Sequence, residues 1–325
     1  MITPASQPGQ PDTPTLARVV AAIDPALRLT ASWALTGGVS SQVTALVAKL
    51  PQGAVQRLVV RQYGRANLRS DPRSAAHEYQ LLALLHGAGL PVPRPRQADE
   101  SRAILPVPYL VTDFLEGEIC TDPTRLTLPV GDFTGQLAAF LAALHSAGVT
   151  RALVPYLTDI ATAATNRLGT RPARLDADLS EAAVRAALAG IWPPPQLNAP
   201  VLLHGDFWPG NVLWQRGALA GVLDWEDATF GDPLADLCLT RMELCMAFGT
   251  AAMHSFTAEY RDRAPGLDVA AQPHWDLYAA LRHAGRMSSW GLAETDLARL
   301  RAGHQAFTAA ALAQLAGPGD SRPLA

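Results

Sequence analysis

The stretch His204-Gly205-Asp206-Phe207-Trp208-Pro209-Gly210-Asn211, running on through Val212-Leu213-Trp214 and a turn at Gly217 to Val222-Leu223-Asp224, decides how this chain is read. Its spacing is H-x-D-x-x-x-x-N, then a strand, a turn and a second strand that ends in an aspartate. Two carboxylates and an amide oxygen are hard ligands of the kind magnesium takes. Phosphoryl transfer asks little more of a protein. One carboxylate must sit beside the attacking hydroxyl, and a second, with an amide oxygen, must hold magnesium against the phosphates, because positioning and charge neutralisation carry the catalysis. An isolated aspartate in a turn is more often a cap, so the ordered set carries the argument, not any one member.

The rest of the chain is compatible with an enzyme. At 325 residues it is long enough for two lobes. Apolar residues at 49% and charged residues at 17% favour a buried core over disorder. A net charge of -3 supplies no basic field for nucleic acid or anionic lipid, so neither is expected as a partner. Cys120, Cys238 and Cys245 form no C-x-x-C pair and leave one over, which argues against a disulfide framework. No secretory signal or membrane-spanning run is visible, so the expected compartment is the cytoplasm.

Residues 1–13 read as a flexible tail and Leu16–Ile23 as a short helix. Strand-like runs follow at Leu29–Leu35, Val43–Leu50 and Leu58–Arg61, a three-stranded antiparallel meander broken at Gly37-Gly38 and Pro51-Gln52-Gly53. A helix is expected from a cap at Ser70 or Asp71, with Pro72 at its first position, Glu78 inside and Gly87 just past its end. Leu90–Pro95 reads as an extended connector and Tyr109–Leu115 as a buried strand. Helical spacing then predicts Thr134–Ala147, Pro155–Arg167, Ser180–Leu188, Leu234–Phe248 and Thr295–Leu315, with a β-rich insert at Val201–Trp225 and a frayed end from Gly317 to Ala325. No internal repeat is visible.

These motifs resemble the aminoglycoside phosphotransferase and choline kinase superfamily, relatives of the protein kinases, from the Gly37-Gly38 loop to the helices after Asp236. The resemblance implies an α+β, protein-kinase-like fold, with residues 14–115 forming an N-terminal nucleotide-binding lobe and 116–325 a helical catalytic and substrate-binding lobe. It implies ATP and Mg2+, with Asp206 orienting or deprotonating the hydroxyl of a small-molecule acceptor, Asn211 and Asp224 binding magnesium, and His204 bracing the loop. Asp232 and Asp236, in Gly231-Asp232-Pro233-Leu234-Ala235-Asp236, are taken as structural acids.

For the nucleotide, Thr36-Gly37-Gly38-Val39-Ser40-Ser41 lies between two expected strands, so Gly38, Ser40 and Ser41 could cover phosphates. It lacks the full G-x-G-x-x-G spacing, and an ordinary hairpin turn fits it as well. Kinase-like folds present a lysine from the third strand to the phosphates, paired with a helix glutamate. Here Arg61 stands in that place with Glu78 as partner; arginine keeps the charge and can bind phosphate through two parallel bonds, though a surface ion pair is the plainer alternative. Val111–Gly117 resembles the interlobe hinge, with the Asp113 carbonyl and the Leu115 amide facing adenine.

The acceptor is less legible. From Leu239 onward eight acids face eight arginines, no acidic excess for a polycationic antibiotic, although Glu226 and Asp227 could help hold one. Trp208, Trp275, Tyr278 and Trp290 could line a pocket, and more often such rings are core. Arg282 and Arg286, expected on one helical face, could hold an anionic acceptor or simply be solvated. His145 and His283 carry no role beyond packing or surface. The expected activity is transfer of the ATP γ-phosphate to a hydroxyl, or less often an amine, of a small molecule; a catalytically silent nucleotide-binding relative is the alternative, and the presence of Asp206, Asn211 and Asp224 together counts against it.

Overall fold

The computed structural model describes residues 8–35 and 41–316. The chain divides into two compact units, one holding the described residues up to Gly117 together with Ala220–Glu226, the other holding Glu118–Leu219 and the chain from Asp227.

In the first unit, α1 (Thr13–Ile23) begins where the Asp12 carboxylate accepts from the Thr15 amide, so the folded chain starts inside the stretch expected to be a tail. Strands β1 (Arg28–Leu35), β2 (Ser41–Lys49) and β3 (Val55–Tyr63) form the expected antiparallel meander. The short α2 (Arg65–Ser70) and then α3 (Ser74–Gly87) follow. The cap expected at Ser70 or Asp71 is displaced: Asp71 closes α2 instead, and its carboxylate accepts from Arg73 and binds His77. β4 (Pro95–Asp99) and β5 (Tyr109–Asp113) complete a five-stranded antiparallel sheet in the order β1-β2-β3-β5-β4. Alternation along β3 buries Leu58 and Val60 with Leu46, Tyr109 and Val111 against Leu16, Val19 and Val20 of α1. Truncating one such leucine to alanine costs about 2–5 kcal/mol.

The second unit opens with β6 (Glu118–Ile119), then α4 (Val130–His145), α5 (Ile160–Gly169) and α6 (Glu181–Ala189). β7 (Val201–Leu203) leads into the decisive stretch, and β8 (Val212–Gln215) turns at Arg216-Gly217 into β9 (Ala218–Val222), where the chain passes into the first unit. Back in the second unit, β10 (Thr229–Gly231) pairs antiparallel with β7. Then come α7 (Leu234–Phe248), α8 (Thr250–Arg263), α9 (Gln272–Ala280) and α10 (Glu294–Ala316). Every residue of α7 from Asp236 to Met246 is buried, its polar members Asp236, Thr240, Arg241 and Glu243 included. Its one buried arginine, Arg241, is compensated by a two-point pair with Asp276 at 3.0 and 3.2 Å and a bond to Thr257.

Helices α8 and α9 were not foreseen from the sequence, and α5 starts at Ile160 on an Asp159 cap, five residues later than the spacing suggests. Arg282 and Arg286 share no helical face, because α9 ends at Ala280 and both lie in the turns beyond it. Among the described residues no helix is long and apolar enough to cross a membrane.

Candidate active site

In the second unit, β7 delivers a loop braced from behind. The buried Asp236 carboxylate accepts from the amides of His204 at 2.7 Å and Gly205 at 2.9 Å, while His145 contacts it at 3.3 Å. His145 also meets the Tyr260 hydroxyl at 2.6 Å, so the histidine expected only to pack or face solvent holds Asp236 in place. His204, fully buried, accepts the Asp206 amide on Nδ1, which is the bracing role expected of it. Asp232 accepts from the Leu234 amide and from Asn198, fixing the start of α7.

Gly205 adopts φ +79°, and a Cβ there would lie 1.9 Å from the Asp227 carbonyl oxygen, so only glycine lets the two backbones meet. Phe207 anchors the other flank, stacked on Phe140 at 5.3 Å with its carbonyl accepting from Thr240. What remains free to work is the side chain of Asp206. Its Oδ2 accepts from Asn211 Nδ2 at 3.1 Å, and the same nitrogen donates to the Asp206 carbonyl at 2.8 Å. With the Asn211 amide hydrogens so used, its carbonyl oxygen is the group left for a cation.

Asp206 Oδ1 accepts from Arg282 Nη2 at 2.8 Å, and that nitrogen also donates to Asp227 Oδ2 at 2.5 Å. Burial raises the Asp206 pKa above the ordinary carboxylate value, against the opposing pull of Arg282. For Arg282, burial opposes the charge, and Asp227 and Asp206 outweigh it, leaving the guanidinium more firmly protonated than usual. Nearby acid Glu243 is held by His283 at 2.6 Å. Of the aromatics singled out, Trp275 is buried, Trp208 lies against Gly210, and Trp290 stacks edge-on with His283. Tyr278 stacks with Trp192, a ring the sequence had not flagged, at 5.2 Å.

The first unit gathers the other set. Arg61, mostly buried, spends every arm of its guanidinium: Nε on the Ser41 hydroxyl at 3.2 Å, Nη1 on Glu78 at 3.1 Å, Nη2 on Asp224 at 3.1 Å and on Glu226 at 2.6 Å. Burial works against the charge, and Glu78 and Asp224 overcome it, pushing the Arg61 pKa well up. The Tyr63 hydroxyl donates to Glu78 and Asn67 to Glu226, so the acids are themselves fixed. Asp224 takes a left-handed φ of 63°, tolerable for aspartate, over a turn pinned by buried Trp225, whose Nε1 donates to the Val222 carbonyl. The Asp224 side chain stays 42% exposed, so an oxygen remains open to a hard cation beside the guanidinium.

At the expected hinge, the Asp113 carboxylate accepts from Arg96 at 2.6 Å, and the Leu115 side chain packs over Gly221, where a Cβ would be 2.4 Å away. The Leu115 amide makes no hydrogen bond among the described residues. Gly38 and Ser40, with the rest of Thr36–Ser40, lie outside the described residues. So Asp206 and Asn211 come together in one unit, and Ser41, Arg61, Glu78, Asp224, Asp113 and Leu115 belong to the other. Glu226, Asp227 and Arg282 were not placed at these positions from the sequence; their partners are far away in the chain.

A profile described as a phosphotransferase enzyme family matches residues 34–273. Homoserine kinase of Pseudomonas aeruginosa is 30% identical over 207 residues, 60% of this chain and 63% of that protein. Acyl-CoA dehydrogenase family member 10 of Mus musculus is 23% identical over 218 residues, 65% of this chain; the chain spans only 20% of that relative's length. Among solved structures, a putative aminoglycoside phosphotransferase from Ralstonia eutropha superposes with a TM-score of 0.63 at 16% identity, covering 93% of this chain and 97% of that one. The macrolide 2'-phosphotransferase MphH from Brachybacterium faecium does so with 0.58 at 20% identity, covering 94% and 99%. A streptomycin–ATP ternary complex of an aminoglycoside phosphotransferase gives 0.56 at 18% identity, covering 82% and 87%. At these identities the likeness is one of fold, and it is the α+β, protein-kinase-like fold that the sequence implied.

Proposed function

Since this chain belongs to the phosphotransferase enzyme family, we propose that it moves the γ-phosphate of ATP to a hydroxyl of a small molecule, a reading that the homoserine kinase relative and the ATP-bound structural neighbour support. The observation that carries it is Asp206: a carboxylate oriented by Asn211, on a loop whose backbone Asp236 and His204 hold. In this reading the acceptor oxygen bonds to the γ-phosphorus, the bond from that phosphorus to the bridging oxygen breaks, ADP leaves with the electron pair, and Asp206 takes the hydroxyl proton.

Residues 14–115 bind the nucleotide, joined by Asp224 and Glu226 from later in the chain; residues 116–325 supply catalysis and acceptor binding. Arg61, positioned by Glu78, faces the phosphates with Ser41, while Asp113 and Leu115 offer backbone groups to adenine. The Asn211 carbonyl and the Asp224 carboxylate are oxygen donors suited to Mg2+, which when bound neutralises phosphate charge. We propose a cytoplasmic compartment for the reaction, a reading that the three free cysteines support.

The test is magnesium-dependent ADP release across sugars, amino alcohols, amino acids and aminoglycosides, with Asp206→Asn alongside. Turnover on one acceptor that the variant loses is the expected result; a variant that keeps pace with the parent overturns the role of Asp206.

A further inference from the structure

Arg282 is held on one side only. Both of its hydrogen bonds leave from Nη2, to Asp206 and to Asp227. Among the described residues, Nε–H and the two Nη1 hydrogens have no protein acceptor, on a guanidinium whose side chain is only 17% exposed. An arginine mostly taken out of water with three donors unspent is a poor structural strut and a good anion receptor. Asp227 is complementary. Its side chain is 47% exposed, and its backbone carbonyl is locked against Gly205, one residue from Asp206. The Arg282–Asp227 pair therefore packs directly against the loop that carries the candidate base.

The charges restrict what can enter. A cation alone would satisfy Asp227 and leave Arg282 short of an acceptor; an anion alone would draw Arg282 away and strand Asp227 beside Asp206. That leaves two carboxylates side by side with no cation between them, which is unfavourable. A zwitterion opens the pair and leaves each charge matched: carboxylate on Arg282, ammonium on Asp227. Glu243 does not compete for the ammonium, since His283 holds it. Tyr278, near the end of α9 and stacked with Trp192, lies close enough to Arg282 and Asp227 to sense both charges.

Resting on the phosphotransferase reading, we infer that the acceptor is a zwitterionic hydroxy amino acid whose carboxylate is taken by Arg282 and whose ammonium is taken by Asp227, bringing its hydroxyl to Asp206. Withdrawing Arg282 from Asp206 Oδ1 also frees that oxygen to receive the hydroxyl proton, so the correct acceptor unmasks the base.

The experiment is calorimetric titration of the whole chain, loaded with magnesium and a non-hydrolysable ATP analogue, with L-serine, L-threonine and L-homoserine, each beside its carboxamide and its N-acetyl derivative. ADP release with ATP is measured in parallel. At least one amino acid is expected to bind about tenfold or more tightly than both of its derivatives. Arg282→Gln should erase the preference over the carboxamide and Asp227→Asn the preference over the N-acetyl form, each leaving the other preference in place. Arg282→Lys, which keeps the charge, should restore part of the first preference. The parent's own discrimination decides the matter should a variant fail to fold. Equal binding of acid and amide, or tighter binding of a neutral sugar or polyamine, overturns the inference, while ADP release with that other acceptor leaves the phosphotransferase reading standing. Tight zwitterion binding without ADP release does the reverse.

Discussion

Arg61 donates through Nη2 to Asp224, 3.1 Å away and 163 residues later in the chain. The same guanidinium reaches Ser41, Glu78 and Glu226, which explains why arginine stands where kinase-like folds present lysine. An ammonium concentrates its three hydrogens at one point; a planar fork spreads five over three directions. Arg61→Lys is expected to keep Glu78 and lose the bridge to Glu226 or Ser41, raising KM for ATP about tenfold with a smaller fall in kcat, as steady-state kinetics would record. Arg61→Met, which leaves Glu78 mostly buried without its cation, should lower the unfolding free energy by about 3 kcal/mol in urea.

Asp206→Asn removes the only proton acceptor proposed for the hydroxyl while keeping the size of the side chain. The expected loss in kcat is about 100-fold to 10,000-fold, with KM for ATP and the thermal midpoint little changed. In the parent, burial sets the Asp206 pKa above that of an ordinary aspartate despite Arg282. The acid limb of kcat/KM should accordingly lie above about 3.9, the value of an exposed aspartate; a limb at or below it contradicts that environment.

Asp236 offers a pH signature of a different sign. Burial alone would raise its pKa, but the His145 bond and charge, with His204 and the Gly205 amide, bring it below the ordinary value. A carboxylate depressed in the folded state contributes stability that is complete above about 3.9 and is lost as pH falls through the folded value. Asp236→Asn should cost about 2 kcal/mol at neutral pH, and the gap between variant and parent should shrink below about pH 4 in thermal melts.

Gly205→Ala and Gly53→Ala both place a side chain at positive φ, +79° and +92°, but only the first meets a neighbour, the Asp227 carbonyl at 1.9 Å. Strain alone costs about 1–2 kcal/mol. Gly53→Ala should show that and retain activity, whereas Gly205→Ala should lose distinctly more stability and displace Asp227 from Arg282, read as a fall in both thermal midpoint and kcat/KM.

Where sequence and structure agree, short-range physics was decisive. Helix α7 runs from Leu234 to Phe248 as its apolar spacing and the preceding Pro233 indicate. The β1-β2-β3 meander follows from alternation and the Gly53 turn. Strand β4 escaped because Pro95, Arg96, Gln97, Ala98 and Asp99 have neither alternation nor β-branched side chains; pairing with β5 makes them a strand. Helix α8 did leave a trace, Met253, Phe256, Thr257 and Tyr260 at helical spacing, diluted by polar residues between them. Arg282 looked like a solvated charge because the acids that hold it stand 76 and 55 residues earlier. No local pattern encodes a pair of that range.

The membership of Ala220–Glu226 in the first unit has a consequence for how the protein is made. During synthesis, the amino-terminal sheet emerges more than a hundred residues before the segment after β9 that carries Asp224 and Glu226, so Arg61 waits with only part of its retinue. A fragment stopped at Gly117 would keep its hydrophobic layer yet lack the Val222 amide that caps the Pro91 carbonyl and the Gly221 surface under Leu115. The amino-terminal unit can mature only once the ribosome has finished about half of the other.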